Sequence, residues 1–84
     1  MGAKALGRYI ITDPEICHGQ PVFRGTRILV SDVLEQISSG MAWEAIIEEW
    51  HVNLTTEAIA EAIRLAREAM ETHVKELILE PVGV

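Results

Sequence analysis

Cysteine, aromatic side chains and positive charge are all scarce in this 84-residue chain. The single cysteine, Cys17, excludes an intrachain disulfide and a multi-cysteine metal site. His18 follows it directly, but neighbouring residues rarely aim their side chains at each other. No third group is evident to orient such a pair as nucleophile and base. His18, His51 and His73 are scattered, with no ligand-type partner at the spacing of a metalloprotease helix. Gly19 and Gly25 do not form a phosphate loop or a dinucleotide fingerprint. We therefore expect no enzyme, no catalytic residue, no metal and no cofactor. No apolar run approaches the roughly 18–20 residues that cross a bilayer. The first nine residues are mixed and carry Lys4 and Arg8, unlike a signal peptide. Leu6 stands where a myristoylation signal wants Ser or Thr. A cytoplasmic location without membrane contact is the expectation.

Seven Lys and Arg face thirteen Asp and Glu, for a net charge of −6. The imbalance is uneven. Residues 1–30 hold Lys4, Arg8, Arg24 and Arg27 against Asp13 and Glu15 only, and the remainder is strongly acidic. An acidic surface repels phosphate backbones and suits a basic protein partner. Nucleic-acid contact is thus expected only in the N-terminal third, at Arg8, Arg24, Thr26 and Arg27. Hydrophobic content of 49% is ample for a folded domain. A chain this short buries a modest core, which leaves room for a partner to complete it.

The chain reads as one domain, residues 1–84. Residues 1–8 are expected to be flexible and residues 9–30 to form an extended arm or hairpin. Tyr9 to Thr12 and Pro21 to Arg24 are its short extended pieces, with Asp13-Pro14 and Gly25 as turns. From Val30 the period becomes helical. Val30, Val33, Leu34 and Ile37 line one helix face, with Ser31 as the expected N-cap and Gly40 as terminator. Trp43, Ile46, Ile47 and Trp50 form a second stripe behind a poor cap, Ala42. Glu44, Glu48 and Glu49 are its solvated face. His51 to Asn53 is a connector. Thr55 caps a third helix, continuous to about Leu79, with Leu54 and Ile59 spaced as a hydrophobic staple. Three Arg–Glu or Glu–Lys pairs (Arg64–Glu68, Arg67–Glu71, Glu71–Lys75) are spaced to lace its outer face. Residues 80–84 are a tail. The fold expected from this pattern is mainly α: residues 31–79 as a three-helix bundle, helices two and three forming a helix-turn-helix.

The last helix outruns the other two. Its distal half, with Met70, Val74, Leu77 and Ile78, has no evident cover within the chain. Such a patch marks an interface unless the arm folds back over it. A homodimer is the simplest assembly.

The densest chemistry is Arg24-Gly25-Thr26-Arg27. Read as an extended stretch, it is expected to put both guanidinium groups on one face, where they can clamp phosphate or carboxylate. The competing reading pairs them with Asp13 or Asp32, pinning the arm to the first helix.

From Ile16 to Ile28, the run Ile-Cys-His-Gly-Gln-Pro-Val-Phe-Arg-Gly-Thr-Arg-Ile resembles the signature of the domain of unknown function 433 family. The Gly-x-Pro-x-x-x-Gly-Thr-Arg core from Gly19 to Arg27 carries the resemblance. Val30 to Leu34, Gly40, Ile46-Ile47 and Leu54-Thr55 extend it over about Tyr9 to Met70. The resemblance implies a homeodomain-like tri-helical fold. It further implies kinship with VapB-type antitoxins, pairing with a PIN-like ribonuclease toxin, dimerisation and autoregulatory DNA binding. Gly19, Pro21, Arg24, Gly25, Thr26 and Arg27 are the motif positions that carry over. Gln20 stands where members often have Lys, which removes one positive charge from the arm.

Overall fold

The computed structural model describes residues 2–51 and 53–83. Met1, Val52 and Val84 lie outside the described residues, so the expected N-terminal segment, connector and tail are followed only at their other positions. In chain order the elements are β1 (Lys4–Ala5), β2 (Ile10–Thr12), β3 (Val22–Phe23), α1 (Val30–Ser38), α2 (Trp43–Trp50), α3 (Thr56–Thr72) and α4 (Val74–Leu77). A 3-10 turn, Cys17–Gly19, lies between β2 and β3.

The expected mainly-α bundle is corrected to an α+β fold. The three strands form an antiparallel sheet in the order β1-β2-β3. Lys4 pairs with Thr12 and Ala5 with Ile11, while Ile10 pairs with Phe23 and Ile11 with Val22. The sheet is no appendage. Ile10, Val22, Phe23 and Ile28 are buried in the same core as Val33, Ile46, Leu54 and Ile59 from the helices. What read as an arm is one layer of the domain, because its apolar residues bury against the stripes of the helices.

Within residues 1–8, the segment expected to be flexible, Lys4 and Ala5 form β1. Lys, Ala and Gly have poor strand propensity, so nothing local announces β1. Its order comes from pairing with β2 and from a tertiary anchor, Glu61, described below.

The helices follow their apolar period. Val30 and Val33 are buried on α1, with Leu34 and Ile37 packed at the core's edge. The cap of α1 is Leu29, not Ser31, and it makes no side-chain bond. The helix grows straight out of the sheet: Leu29 bridges Val22, and the Val30 N–H donates to Pro21 O at 3.0 Å. At the other end Gly40 (φ 94) closes a Schellman motif. The Met41 N–H reaches Gln36 O at 3.1 Å and the Gly40 N–H reaches Ile37 O at 3.0 Å. Helix α2 starts from the uncapped Ala42 and buries Ile46. Helix α3 has the expected cap, Thr55 Oγ1 accepting from Ala58 N at 3.1 Å, with Leu54 and Ile59 both buried beside it.

The continuous last helix is also corrected. It breaks at His73 (φ −120, ψ 38), and α4 is a separate single turn. No Gly or Pro causes this. Thr72 Oγ1 donates to Glu68 O at 2.7 Å, a back-bond that bends helices, and no packing opposes it. Of the three charge pairs expected, Arg67–Glu71 forms at 3.6 Å, whereas Arg64 turns to Glu61 at 3.5 Å.

Candidate functional site

Two surfaces stand apart from the rest. The first is built from the loop after β3. The Thr26 N–H donates to Phe23 O at 3.0 Å, closing a turn with Gly25 (φ 78) at its third position, as a type II turn requires. Thr26 locks it from the side chain: Oγ1 donates to Phe23 O at 2.7 Å and accepts from Ile28 N at 3.0 Å. The segment is therefore a turn and not the extended stretch expected. Residues three apart in a strand point to opposite faces, so the expectation that an extended stretch would put both guanidinium groups on one face is corrected as well. The reversal at Gly25 is what lets Arg24 and Arg27 line one groove.

That groove has a volume of about 720 Å³. Residues 24–28 form one wall, and Trp50, His51 and Asn53, from the end of α2 and the turn that follows, form the other. Trp50 is half-buried, and its Nε1–H donates to Gln36 Oε1 at 2.8 Å, which fixes the indole. His51 is left-handed (φ 54) and exposed. The lining includes two arginines and a histidine and no carboxylate.

The arginines differ in their bonding. Arg24 donates from Nε to Arg8 O at 2.9 Å and from Nη2 to Gly7 O at 3.3 Å. It buttresses the β1–β2 turn. Neither Arg24 nor Arg27 forms an ion pair with Asp13 or Asp32 among the described residues. Asp13 instead accepts the Glu15 N–H at 2.9 Å. Carbonyls orient Arg24 without neutralising it, so no acid cancels its charge. Arg8 is not in the lining; its guanidinium lies over the Tyr9 ring, 5.6 Å from the centroid.

Gly19 and Pro21 act upstream. Cys17 (φ 50), His18 (φ 58) and Gly19 (φ 81) are successive left-handed residues, a conformation that costs non-glycine residues about 1–2 kcal/mol each. The Gly19 N–H to Ile16 O bond and the Cys17 thiol's contact with Arg27 O at 3.6 Å hold this turn against the Arg27 backbone.

Sequence reasoning missed Trp50, His51 and Asn53 as groove residues, and it missed Glu61. The latter had a signal. Ala58, Glu61, Ala62 and Leu65 share the buried stripe of α3, and an acid there needs partners. Glu61 Oε2 accepts from Arg8 N at 2.9 Å and Oε1 from Tyr9 N at 2.7 Å.

The second surface is the distal C-terminal segment. From Ala66 onward every described residue is exposed, including Met70, Val74, Leu77 and Ile78. The β-layer does not fold back over them; it packs on the first half of α3, around Ala58, Ile59 and Ala62. No described helix is long and apolar enough to cross a membrane.

Among curated proteins, an uncharacterized protein, y4eO, of Sinorhizobium fredii is 41% identical over 63 residues, covering 74% of this chain and 26% of that protein. The chain thus spans about a quarter of the length of that relative. No solved structure matches. A family model does match, over residues 10–66, which takes in β2, the left-handed turn, the Gly25 turn, α1, α2 and the first part of α3. The chain belongs to the family described as protein of unknown function (DUF433).

Proposed function

We propose that this chain is a non-enzymatic regulatory module of antitoxin type, which docks its C-terminal segment on a partner protein. The observation that carries the reading is the uncovered apolar run: Met70 is 64% exposed, Val74 52%, Leu77 54% and Ile78 61%. A single domain with a filled core gains nothing from such a run, whereas a short helix presented to a groove uses it for anchoring. Glu68, Glu71, Glu76 and Glu80 flank the anchors against Arg67 and Lys75. The partner that fits has an apolar groove with a basic rim. A PIN-like ribonuclease encoded beside this chain, as the family resemblance implies, is the partner to test.

The test is co-expression with the neighbouring reading frame's product and purification through a tag on one chain. The wild-type pair is expected to co-elute, and Leu77→Asp to separate it. A complex that survives both Leu77→Asp and Val74→Asp rejects this docking surface. Sedimentation of the chain alone decides whether a second copy occupies the segment instead, as a two-fold dimer.

A second reading, nucleic-acid contact for autoregulation, is favoured by one specific observation. In a chain of net charge −6, the groove at Arg24 and Arg27 is free of acids. Thr26 shapes this surface, and Arg8 is not part of its lining.

A further inference from the structure

We infer that the groove between the Gly25 turn and the α2–α3 turn is a site for one unstacked nucleotide, with its phosphate at Arg24 and Arg27 and its base against Trp50. The inference rests on the reading of the Arg24–Arg27 loop as a nucleic-acid surface and names the form recognised there.

Three observations converge. The guanidinium of Arg24 is braced by two neutral carbonyls, of Gly7 and Arg8, so it is held in place with its charge intact. Arg27 is exposed and makes no ion pair among the described residues. Two such cations on one turn are suited to an anion with several acceptor oxygens. Across the groove stands an indole whose ring nitrogen is already tied to Gln36, so the half-buried ring is pre-oriented. Aromatic platforms beside cations are the usual apparatus for single-stranded bases.

The electrical layout sets the orientation of the ligand. Helix α2 ends at Trp50, which lines the far wall, so the negative partial charges of its C-terminal end lie on that side. They repel a phosphate and favour the amino groups of a base. The phosphate therefore belongs on the arginine side. The same layout disfavours a long duplex, because exposed Glu44, Glu48 and Glu49 run along α2 away from the groove. Only one or two phosphates find cations before the acids begin.

The shared chemistry is a nucleotide unit, free or within a strand. Fluorescence anisotropy of the full chain at low salt, with a labelled single-stranded DNA 12-mer, a single-stranded RNA 12-mer and a DNA duplex, separates the cases, with AMP as competitor. Single strands are expected to bind more tightly than duplex. Because single strands give a log–log salt slope of about −0.7 per phosphate, a shallow slope near one or two phosphates is expected. AMP competing at the strand's own affinity assigns the site to free nucleotides; weaker competition assigns it to strands.

Arg27→Ala is the clean variant, since that side chain makes no bond that the fold uses. It is expected to weaken binding about tenfold, in line with loss of a charge-assisted bond. In a Trp43→Phe background the emission of Trp50 alone is expected to quench with the same midpoint. Preference for duplex, or unmoved Trp50 emission on binding, overturns the unstacked-nucleotide site while leaving a nucleic-acid surface standing. Absence of binding to any of the probes overturns both.

Discussion

Glu61 on α3 holds Tyr9, the residue before β2, its Oε1 accepting the Tyr9 N–H at 2.7 Å across 52 positions of sequence. Its other oxygen takes the Arg8 N–H at 2.9 Å, and the residue is only 4% exposed. One carboxylate thus satisfies two neighbouring amides of the β1–β2 turn and ties the sheet to the longest helix. Bonds to charged groups contribute about 1.5–3 kcal/mol each, so Glu61→Ala is expected to lower unfolding stability by about 2–4 kcal/mol in urea. Gly7 belongs to the same device. A Cβ there would meet the Glu61 carboxyl at 2.6 Å. Gly7→Ala is expected to be damaging in the wild-type background and nearly neutral beside Glu61→Ala. Strictly additive losses in that double-mutant cycle would show that the two residues are not coupled.

The helical stripes were legible in the sequence because each helix obeys a local period: Val30, Val33, Ile46 and Ile59 were placed by spacing alone and are buried. The Gly25 motif was also legible, since only a few residue types serve a turn of that kind. The sheet was not. Lys4 and Ala5 carry no strand signal, and their order depends on Ile11, Thr12 and the distant Glu61. The groove was half legible for the same reason. Arg24 and Arg27 stood out by type, but Trp50 and His51 join them only through the tertiary packing that brings the end of α2 across from the Gly25 turn. Spacing reports what a segment does, whereas a wall shared by two segments is a tertiary fact.

The Gly25 turn yields a prediction that separates backbone strain from crowding. A Cβ at Gly25 would meet nothing within 4 Å, yet φ is +78°. Gly25→Ala is therefore expected to cost about 1 kcal/mol, all of it conformational. Thr26→Val keeps the shape and loses both hydroxyl bonds, to Phe23 O and from Ile28 N. A loss of about 1–2 kcal/mol is expected, because the Ile28 N–H is left without its partner. Thermal unfolding of both variants checks the pair. A Thr26→Val protein as stable as wild type would mean that water replaces the hydroxyl and that the motif threonine is not there for the fold.

Helix α2 offers a gain. Its N-cap, Ala42, has the extended backbone of a cap (φ −67, ψ 147) and no side-chain bond. Ala42→Ser supplies the missing acceptor at an exposed position without disturbing the core. A stabilisation of about 0.5–1 kcal/mol is expected, and the matching loss of about 1 kcal/mol is expected from Thr55→Ala at the good cap of α3. Urea midpoints moving in opposite directions for the two variants establish that capping, and not composition, sets the difference.

The end of the chain is where stability and function part. The core stops at Ala62 and Leu65, and α3 continues to Thr72 with solvent on all sides. Isolated helical turns are marginal in water, so this stretch draws its order only from the helix before it, and the break at His73 cuts that supply for α4. Amide exchange in the isolated chain should therefore be slowest at Ala58 to Ala62, near the global unfolding limit, and fast from Val74 to Leu79. Leu77→Asp should leave the urea midpoint within about 0.5 kcal/mol of wild type, as an exposed substitution does. Adding the partner should slow exchange from Met70 to Leu79 and leave the sheet unchanged. Slow exchange there in the isolated chain, growing with protein concentration, would instead place a second copy on the segment. Slow exchange independent of concentration would mean that this protein covers its own apolar run, and the docking role would fall with it.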